Sequence, residues 1–461
     1  MANYATPGVY VEEVPTLPSS VAPVSTAIPV FIGSVQFASS ASTPLTEHAR
    51  VSTLLEFEQK FGQAVPTRFT VDVANNITPN NIVPECLLWY ALKHFFDNGG
   101  GPCHVVAVHQ HDPSATGTPI SEVDISRGID FLEALDEPTL VVIPDAVHLS
   151  TTDRKTVYTN ALQHCKDDGF RFAILDVAPT ASTELSDADS AREEFGVSNL
   201  SYGAAYYPFL NTTLLHRYSD DSVAVHLPPQ DGEEHPDSPI KLGALVDSAS
   251  VHYNNARYNL VKRELRNQRV QLPPSAAIAG LYARVDRERG VWKAPANVDL
   301  RSTIGPAKVV TETQQETLNI HPGGKSINAI RAFTGRGTLV WGARTLDGNN
   351  PEWRYVNVRR LFIMIEESAK KASEFSIFEP NDASTWLKVR GMIDSFLYSL
   401  WEQGALQGST PEEAYYVNAG HPVTMSKQDI LDGKMIVEIG VAAVRPAEFI
   451  ILRFSHFTGQ S

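Results

Sequence analysis

Thr139-Leu-Val-Val-Ile143 and Phe170-Arg-Phe-Ala-Ile-Leu-Asp-Val177, with a helical stretch from Arg154 to Asp168 between them, decide the fold class of this chain. Both runs are largely apolar and lack the polar alternation of a half-wet strand, so each reads as a strand covered on both faces. A helix between two such strands returns the chain to the same end of the sheet and makes the pair parallel. The alternation extends both ways. Upstream, Pro29-Val-Phe-Ile-Gly33 and His104-Val-Val-Ala-Val108 read as strands, with Leu54 to Phe61, Cys86 to Phe96 and Gly128 to Leu135 as helices. Asn98-Gly-Gly-Gly-Pro102 is a helix stop. Downstream, Arg192 to Asn199 reads as a weaker helix and Ala204-Ala-Tyr-Tyr-Pro208 as the end of a strand.

Two segments break this rhythm. Residues 64–82 are polar and Asn-rich and read as a loop or insertion. Residues 217–250 alternate Asp220, Asp221, Asp231, Glu233, Glu234 and Asp237 with prolines and read as solvated surface. A basic helix is expected from Asn254 to Arg269, with Tyr258, Val261 and Leu265 on one face. It reads as a solvated amphipathic helix, or else as a partner or lipid contact. The last third loses the strand–helix alternation and reads as α+β. Helices are expected within Pro273 to Gly290, from Asn357 to Ala372 and from Ser384 to Leu406, with strands at Thr338 to Gly342 and Met435 to Val441. The longest places Trp386, Val389, Ile393, Phe396, Leu397, Leu400 and Trp401 at spacings of three and four.

Each end of the chain reads as a lone strand. Thr6 to Val14 contains Val9, Tyr10, Val11 and Glu12, and Pro446 to Phe454 contains Phe449, Ile450, Ile451 and Leu452. A terminal strand leaves its backbone unpaired unless some sheet accepts it, and that sheet can belong to a neighbouring copy. Residues 15–27, rich in Pro, Ser and Thr, read as an extended linker. The expected organisation is α/β plus α+β. An N-terminal arm and linker (1–27) precede an outer α/β domain with a mostly parallel sheet (28–272, insertion at about 211–271). An α+β core domain (273–445) and a C-terminal arm (446–461) follow.

At 461 residues the chain needs no disulfide or metal staple to bury a core. Its formal net charge of −15 argues against wrapping nucleic acid through a general basic surface. Three cysteines without CxxC spacing fit a reducing compartment. No secretory signal or membrane-spanning run is read, so cytoplasmic synthesis without stable membrane insertion is expected. Asn98-Gly-Gly-Gly-Pro102 follows a helix and precedes a strand, the reverse of a dinucleotide loop. His321-Pro-Gly-Gly-Lys-Ser326 ends like a P-loop, but Asn319 stands where glycine is required. His109 and His111 lack two further ligands nearby. Adjacent Glu366 and Glu367 splay apart on a helix and read as a solvated face. No cofactor, metal or catalytic residue is expected.

Several stretches resemble the sheath subunit of contractile phage tails and contractile injection systems. They are Pro7-Gly-Val-Tyr-Val-Glu-Glu13, Phe95-Phe96 with Asn98-Gly-Gly100, Pro273 to Gly280, Tyr282-Ala-Arg284, Asp286, Arg289-Gly290 and Lys293 to Asn297. Ile327 to Arg331, Gly335-Arg-Gly337, Val340 to Leu346, Trp353 to Arg360, Ile365 to Ser368 and Phe378-Glu-Pro-Asn381 with Trp386 follow. Val437 to Val441 and Arg445-Pro-Ala-Glu-Phe449 complete the set. The resemblance skips residues 211–271. It implies a non-enzymatic subunit forming six-membered rings around an inner tube, with baseplate and terminal cap proteins as further partners. Such particles assemble in the cytoplasm and then serve as a phage tail or a released injection device. The arms would add strands to a neighbour's sheet around Ile436, Val437, Glu438 and Ile439. The helix from Ser384 would face the tube through Asp394, Tyr398, Glu402 and Gln403, or serve only as a core helix. Arg359 and Arg360 with Glu366 and Glu367 would pair between subunits or within the chain. A non-contractile shell or surface-layer polymer, and an α/β enzyme with an appended binding domain, are the competing readings.

Overall fold

The computed structural model describes residues 21–37, 45–111, 119–179, 184–227 and 239–449. Among these the chain divides into two compact units, residues 25–363 with 445–449 and residues 21–24 with 364–444.

The larger unit begins with β1 (Pro29–Val35), β2 (Glu47–Val51), α1 (Leu54–Phe61), β3 (Phe69–Val71), β4 (Ile77–Pro79), α2 (Leu88–Asp97) and β5 (Cys103–Gln110). Next come α3 (Glu122–Asp130), β6 (Leu140–Val142), α4 (Thr151–Asp168), β7 (Phe172–Asp176), α5 (Glu184–Glu194), β8 (Gly203–Tyr207) and β9 (Leu210–Leu215). It continues through β10 (Val223–Val225), β11 (Ile240–Lys241), α6 (Asn255–Leu265), β12 (Arg269–Leu272), α7 (Ser275–Arg289), β13 (Val298–Asp299) and β14 (Thr303–Pro306). Finally come α8 (Glu312–Asn319), β15 (Ile327–Phe333), β16 (Gly337–Val340) and the first half of α9 (Val356–Ser373). One nine-stranded sheet runs β13-β16-β15-β8-β7-β6-β1-β5-β2. Its central strands from β15 to β5 are parallel, and antiparallel strands close both edges. The strands that decided the fold, β6 and β7, lie side by side in its middle and are wholly buried, as their uninterrupted apolar runs require.

This sheet corrects the expected boundary at 272/273. β13, β15 and β16 complete it, and α7 packs on β6 and β7, so residues 273–363 belong to the α/β unit. Alternation in sequence hid this, because β15 joins β8 only after the excursion through β9 to α8. α7 is buried almost all round and approaches α2 closely. A Cβ at Gly280 would stand 2.4 Å from the Phe95 carbonyl oxygen and 2.9 Å from the Asn98 Cβ, so the close approach requires glycine there.

Neither α2 nor α7 caps its own N-terminus with a side chain. A buried aspartate does so instead: Asp176 is the last residue of β7, and Asp145 lies three residues beyond β6. Asp145 accepts the Leu87 and Ser34 N–H groups at 2.9 and 2.7 Å, and Asp176 accepts the Ser275 N–H at 2.8 Å. Burial pushes Asp176 up to about 7. A folded-state value raised above the unfolded one means this group's contribution is fully present below the unfolded pKa, near 4, and is lost as pH rises through about 7. Asp176→Asn removes that dependence, so denaturant midpoints of the variant should gain on wild type between about pH 4.5 and 7.5.

Other expectations need correction. Residues 64–82 and 217–250 carry short strands rather than loop alone. β3 pairs in parallel with β10, within the sheet β11-β10-β3-β4. Phe69, Val71, Val223, Val225, Leu242, Leu245, Val261 and Leu265 form a separate small core, so the two segments and α6 fold as one module. Strands this short have too few alternations to register as a period. In α6, Arg257 reaches the Asn75 side chain at 2.7 Å and the Asp72 and His226 carbonyls. α3 starts at Glu122 through a capping box of Ser121 and Asp124, earlier than the apolar density suggested. α5 spans Glu184–Glu194, so it ends within the first turn of the weaker helix expected from Arg192 to Asn199.

The smaller unit holds the rest of α9, α10 (Ala383–Glu402), α11 (Pro411–Ala414), β17 (Tyr415–Ala419), α12 (Lys427–Leu431) and β18 (Val437–Val441). Its only sheet among the described residues is the antiparallel pair β17-β18.

Candidate assembly site

β17 and β18 pair from Tyr415 with Val441 to Ala419 with Val437. The Ala442 N–H bonds the Ala414 carbonyl in the same register, so Gly440 and Glu438 direct their backbone groups at β17. Ile436 follows this parity. Its N–H meets Met425 Sδ at 3.2 Å, and its carbonyl accepts from Thr424 Oγ1 at 2.6 Å. Val437, Ile439 and Val441 therefore direct their N–H and C=O groups outward, along an edge that no described strand pairs. Of the four residues expected to accept a neighbour's strand, Val437 and Ile439 lie with open backbone groups. Ile436 and Glu438 do not.

The motif Phe378-Glu-Pro-Asn381 positions this sheet. Asn381 Oδ1 accepts from Trp386 Nε1 at 2.7 Å, and its Nδ2 donates to the Lys434 carbonyl at 2.9 Å, just before β18. Asp382 caps α10 through the Ser384 and Thr385 N–H groups. α10 buries Val389, Ile393, Phe396, Leu397 and Leu400. Asp394, Tyr398 and Glu402 lie exposed on its opposite stripe, with exposed Gln403 as the C-cap residue. Glu402 pushes the Tyr398 phenol up through its charge and a hydrogen bond.

The described residues that border each terminal segment are held by side-chain contacts. Thr26 donates to Asp286 at 2.6 Å, and its carbonyl accepts from Arg360 at 2.8 Å. Arg360 also forks onto Asp286 at 3.1 and 2.5 Å and lies 4.5 Å over the Tyr282 ring. Val21 is buried and the Val24 N–H meets Ser368 Oγ at 3.1 Å, so the stretch read as a linker is already held from residue 21. Buried Arg359 lies over the Tyr202 and Trp353 rings, while Glu367 pairs with Lys370 and Lys371. At the other border, Glu448 takes a bidentate pair from buried Arg344 at 2.9 and 2.6 Å. Asn319 and Tyr355 donate to the same carboxylate at 2.8 and 3.2 Å. Burial pushes Glu448 up, but the bonds from Arg344 and Asn319 outweigh it and leave the carboxyl below the ordinary range. Sequence reasoning missed both clamps, although each of their carboxylates and arginines lies in a stretch that carried the resemblance. Val9 to Glu12 and Ile450 to Leu452 lie outside the described residues; Phe449 is exposed and in no strand.

Among the described residues, no group of His, Cys, Asp and Glu side chains could hold a metal ion, and no helix is long and apolar enough to cross a membrane. Residues 120–346 match the phage tail sheath protein central domain, and residues 348–456 match the phage tail sheath C-terminal domain. Among solved structures, the chain is similar to the sheath of PVC, an extracellular contractile injection system, in its contracted state. The identity is 31% over 99% of this chain and 98% of that one, with a TM-score of 0.67. It is also similar to the contracted helical sheath of the anti-feeding prophage, at 33% identity over 98% and 99% of the two chains and a TM-score of 0.65. The chain belongs to the contractile tail sheath family. A curated tail sheath protein of Vibrio phage KVP40 is 25% identical over 224 residues, covering 47% of the sheath chain and 32% of that relative. The sheath chain thus matches less than half the length of the curated relatives.

Proposed function

We propose that this sheath chain polymerises as stacked six-membered rings around an inner tube and shortens to drive that tube through a target envelope. The observation that carries the reading is the outer edge of β18, where Val437, Ile439 and Val441 face no described strand, in a chain of the sheath family. The sequences around Val9 to Glu12 and around Phe449 to Leu452, rich in β-branched and aromatic residues, would supply what such an edge lacks by pairing with it as added strands. Each added strand is modest, since a backbone hydrogen bond is worth about 1 kcal/mol net. Repetition along the particle turns modest links into a mesh. Work comes from energy stored in the long assembly, without nucleotide. A baseplate and a terminal cap bound the polymer. Electron microscopy of purified particles tests this: long, narrow and short, wide helical forms are expected, and a single form under every trigger would favour a non-contractile shell.

The exposed stripe of α10 suits the tube, because a polar contact can be made and broken again. Asp394→Ala with Glu402→Ala should change monomer stability by no more than about 0.5 kcal/mol, as both side chains are exposed. Co-assembly with the tube protein should fall severalfold; unchanged co-sedimentation would move the tube contact off this stripe.

A further inference from the structure

We infer that Glu448 is the positioning residue of the C-terminal arm, its clamp on Arg344 setting where and in which direction the arm leaves the subunit. The inference rests on the reading that this arm couples subunits. Among the described residues, 445–449 make no main-chain hydrogen bond, and their polar contacts to the rest of the chain are all made by the Glu448 side chain. Glu448 is therefore the last of the described residues that a polar contact fixes.

The partner is fixed as well. Arg344 is buried, and the Asn328 side chain holds both its main-chain N–H and its carbonyl at 2.7 Å. Its guanidinium also reaches the Asn319 carbonyl at 3.2 Å. Asn319 ends α8 and donates its side chain to Glu448, so the carboxylate is gripped from two elements at once. A planar fork meeting a carboxylate at two points fixes orientation as well as distance.

Position, rather than affinity, is what the clamp controls. Losing the clamp frees residues 445–449, which adds five residues of chain ahead of residues 450–461. Effective concentration falls roughly as the −3/2 power of length, so arm capture weakens only about twofold. The direction of departure, by contrast, is lost. A helical polymer repeats any error in that direction at every subunit.

The experiment compares wild type, Glu448→Ala, Glu448→Gln and a deletion of residues 450–461, each as the full subunit assembled with the tube protein. The deletion should abolish sheaths. Glu448→Ala should polymerise at a yield within about twofold of wild type, but without coherent layer lines in its diffraction pattern. Glu448→Gln, which can still accept from Arg344 and Asn319, should restore part of the order. A merely structural role would lower the melting temperature and leave the layer lines intact, and that result overturns the inference. Sheaths that survive the deletion would instead overturn the coupling role of the arm. If Glu448→Ala does not fold, Asn319→Ala with Tyr355→Phe carries the test, since it strips two neutral partners and keeps the ion pair. Partial loss of order supports the clamp, and wild-type order overturns it.

Discussion

A subunit lacking residues 1 to 14 is expected to fold, remain soluble and form no sheath. The cut spares every contact that holds the start of the described chain. Val21 stays buried, Val24 keeps Ser368, and Thr26 keeps Asp286 and Arg360. Monomer stability should therefore change by no more than about 0.5 kcal/mol. Assembly loses a whole strand per subunit, a strand of four or five residues being worth a few kcal/mol at about 1 kcal/mol per backbone bond. Such a loss lowers each coupling constant by about a hundredfold or more, since 1.4 kcal/mol is a factor of ten. Sedimentation and negative-stain microscopy read the two properties separately. Ordered sheaths at normal yield would remove the N-terminal arm from the coupling, and an unfolded monomer would mean that the arm also belongs to the fold.

How much of this could be read in advance depends on the length of the signal. β6 and β7 announced themselves because strands buried on both faces are uninterrupted apolar runs. α1 lies where the sequence placed it, from Leu54 to Phe61, and the structure caps it with the Thr53 side chain at its start and Gly62 at its end. The edge of β18 was legible only in part. Composition located the strand, but the parity that sends Ile439 outward and Glu438 inward depends on its register against β17. The arm clamps were not legible at all. Arg344 and Glu448 are 104 residues apart, and Thr26 and Arg360 are 334 apart. No periodicity links residues that only the folded sheet brings together.

That parity yields a sharper prediction. Ile439→Pro is expected to leave the monomer folded and stop polymerisation, whereas Gly440→Pro is expected to damage the monomer. Proline lacks the N–H and is tolerated in a strand only where that group faces an open edge. Ile439 directs its N–H away from β17, so replacing it removes one donor from the accepting edge and none from the existing ladder. The ring also projects into the space an added strand must occupy. Gly440 directs its N–H at Tyr416 across the ladder, so proline there breaks a bond inside the sheet, and Tyr416 already crowds the position, with a Cβ on Gly440 coming 2.2 Å from its ring. Circular dichroism and thermal melting should find Ile439→Pro within about 1 kcal/mol of wild type and Gly440→Pro well below it. Pelleting assays should then find no polymer from Ile439→Pro at concentrations where wild type assembles fully. Two substitutions one residue apart would thus separate the strand's two edges. Normal sheaths from Ile439→Pro would mean that neighbours do not add to this edge, however open it stands in the isolated subunit.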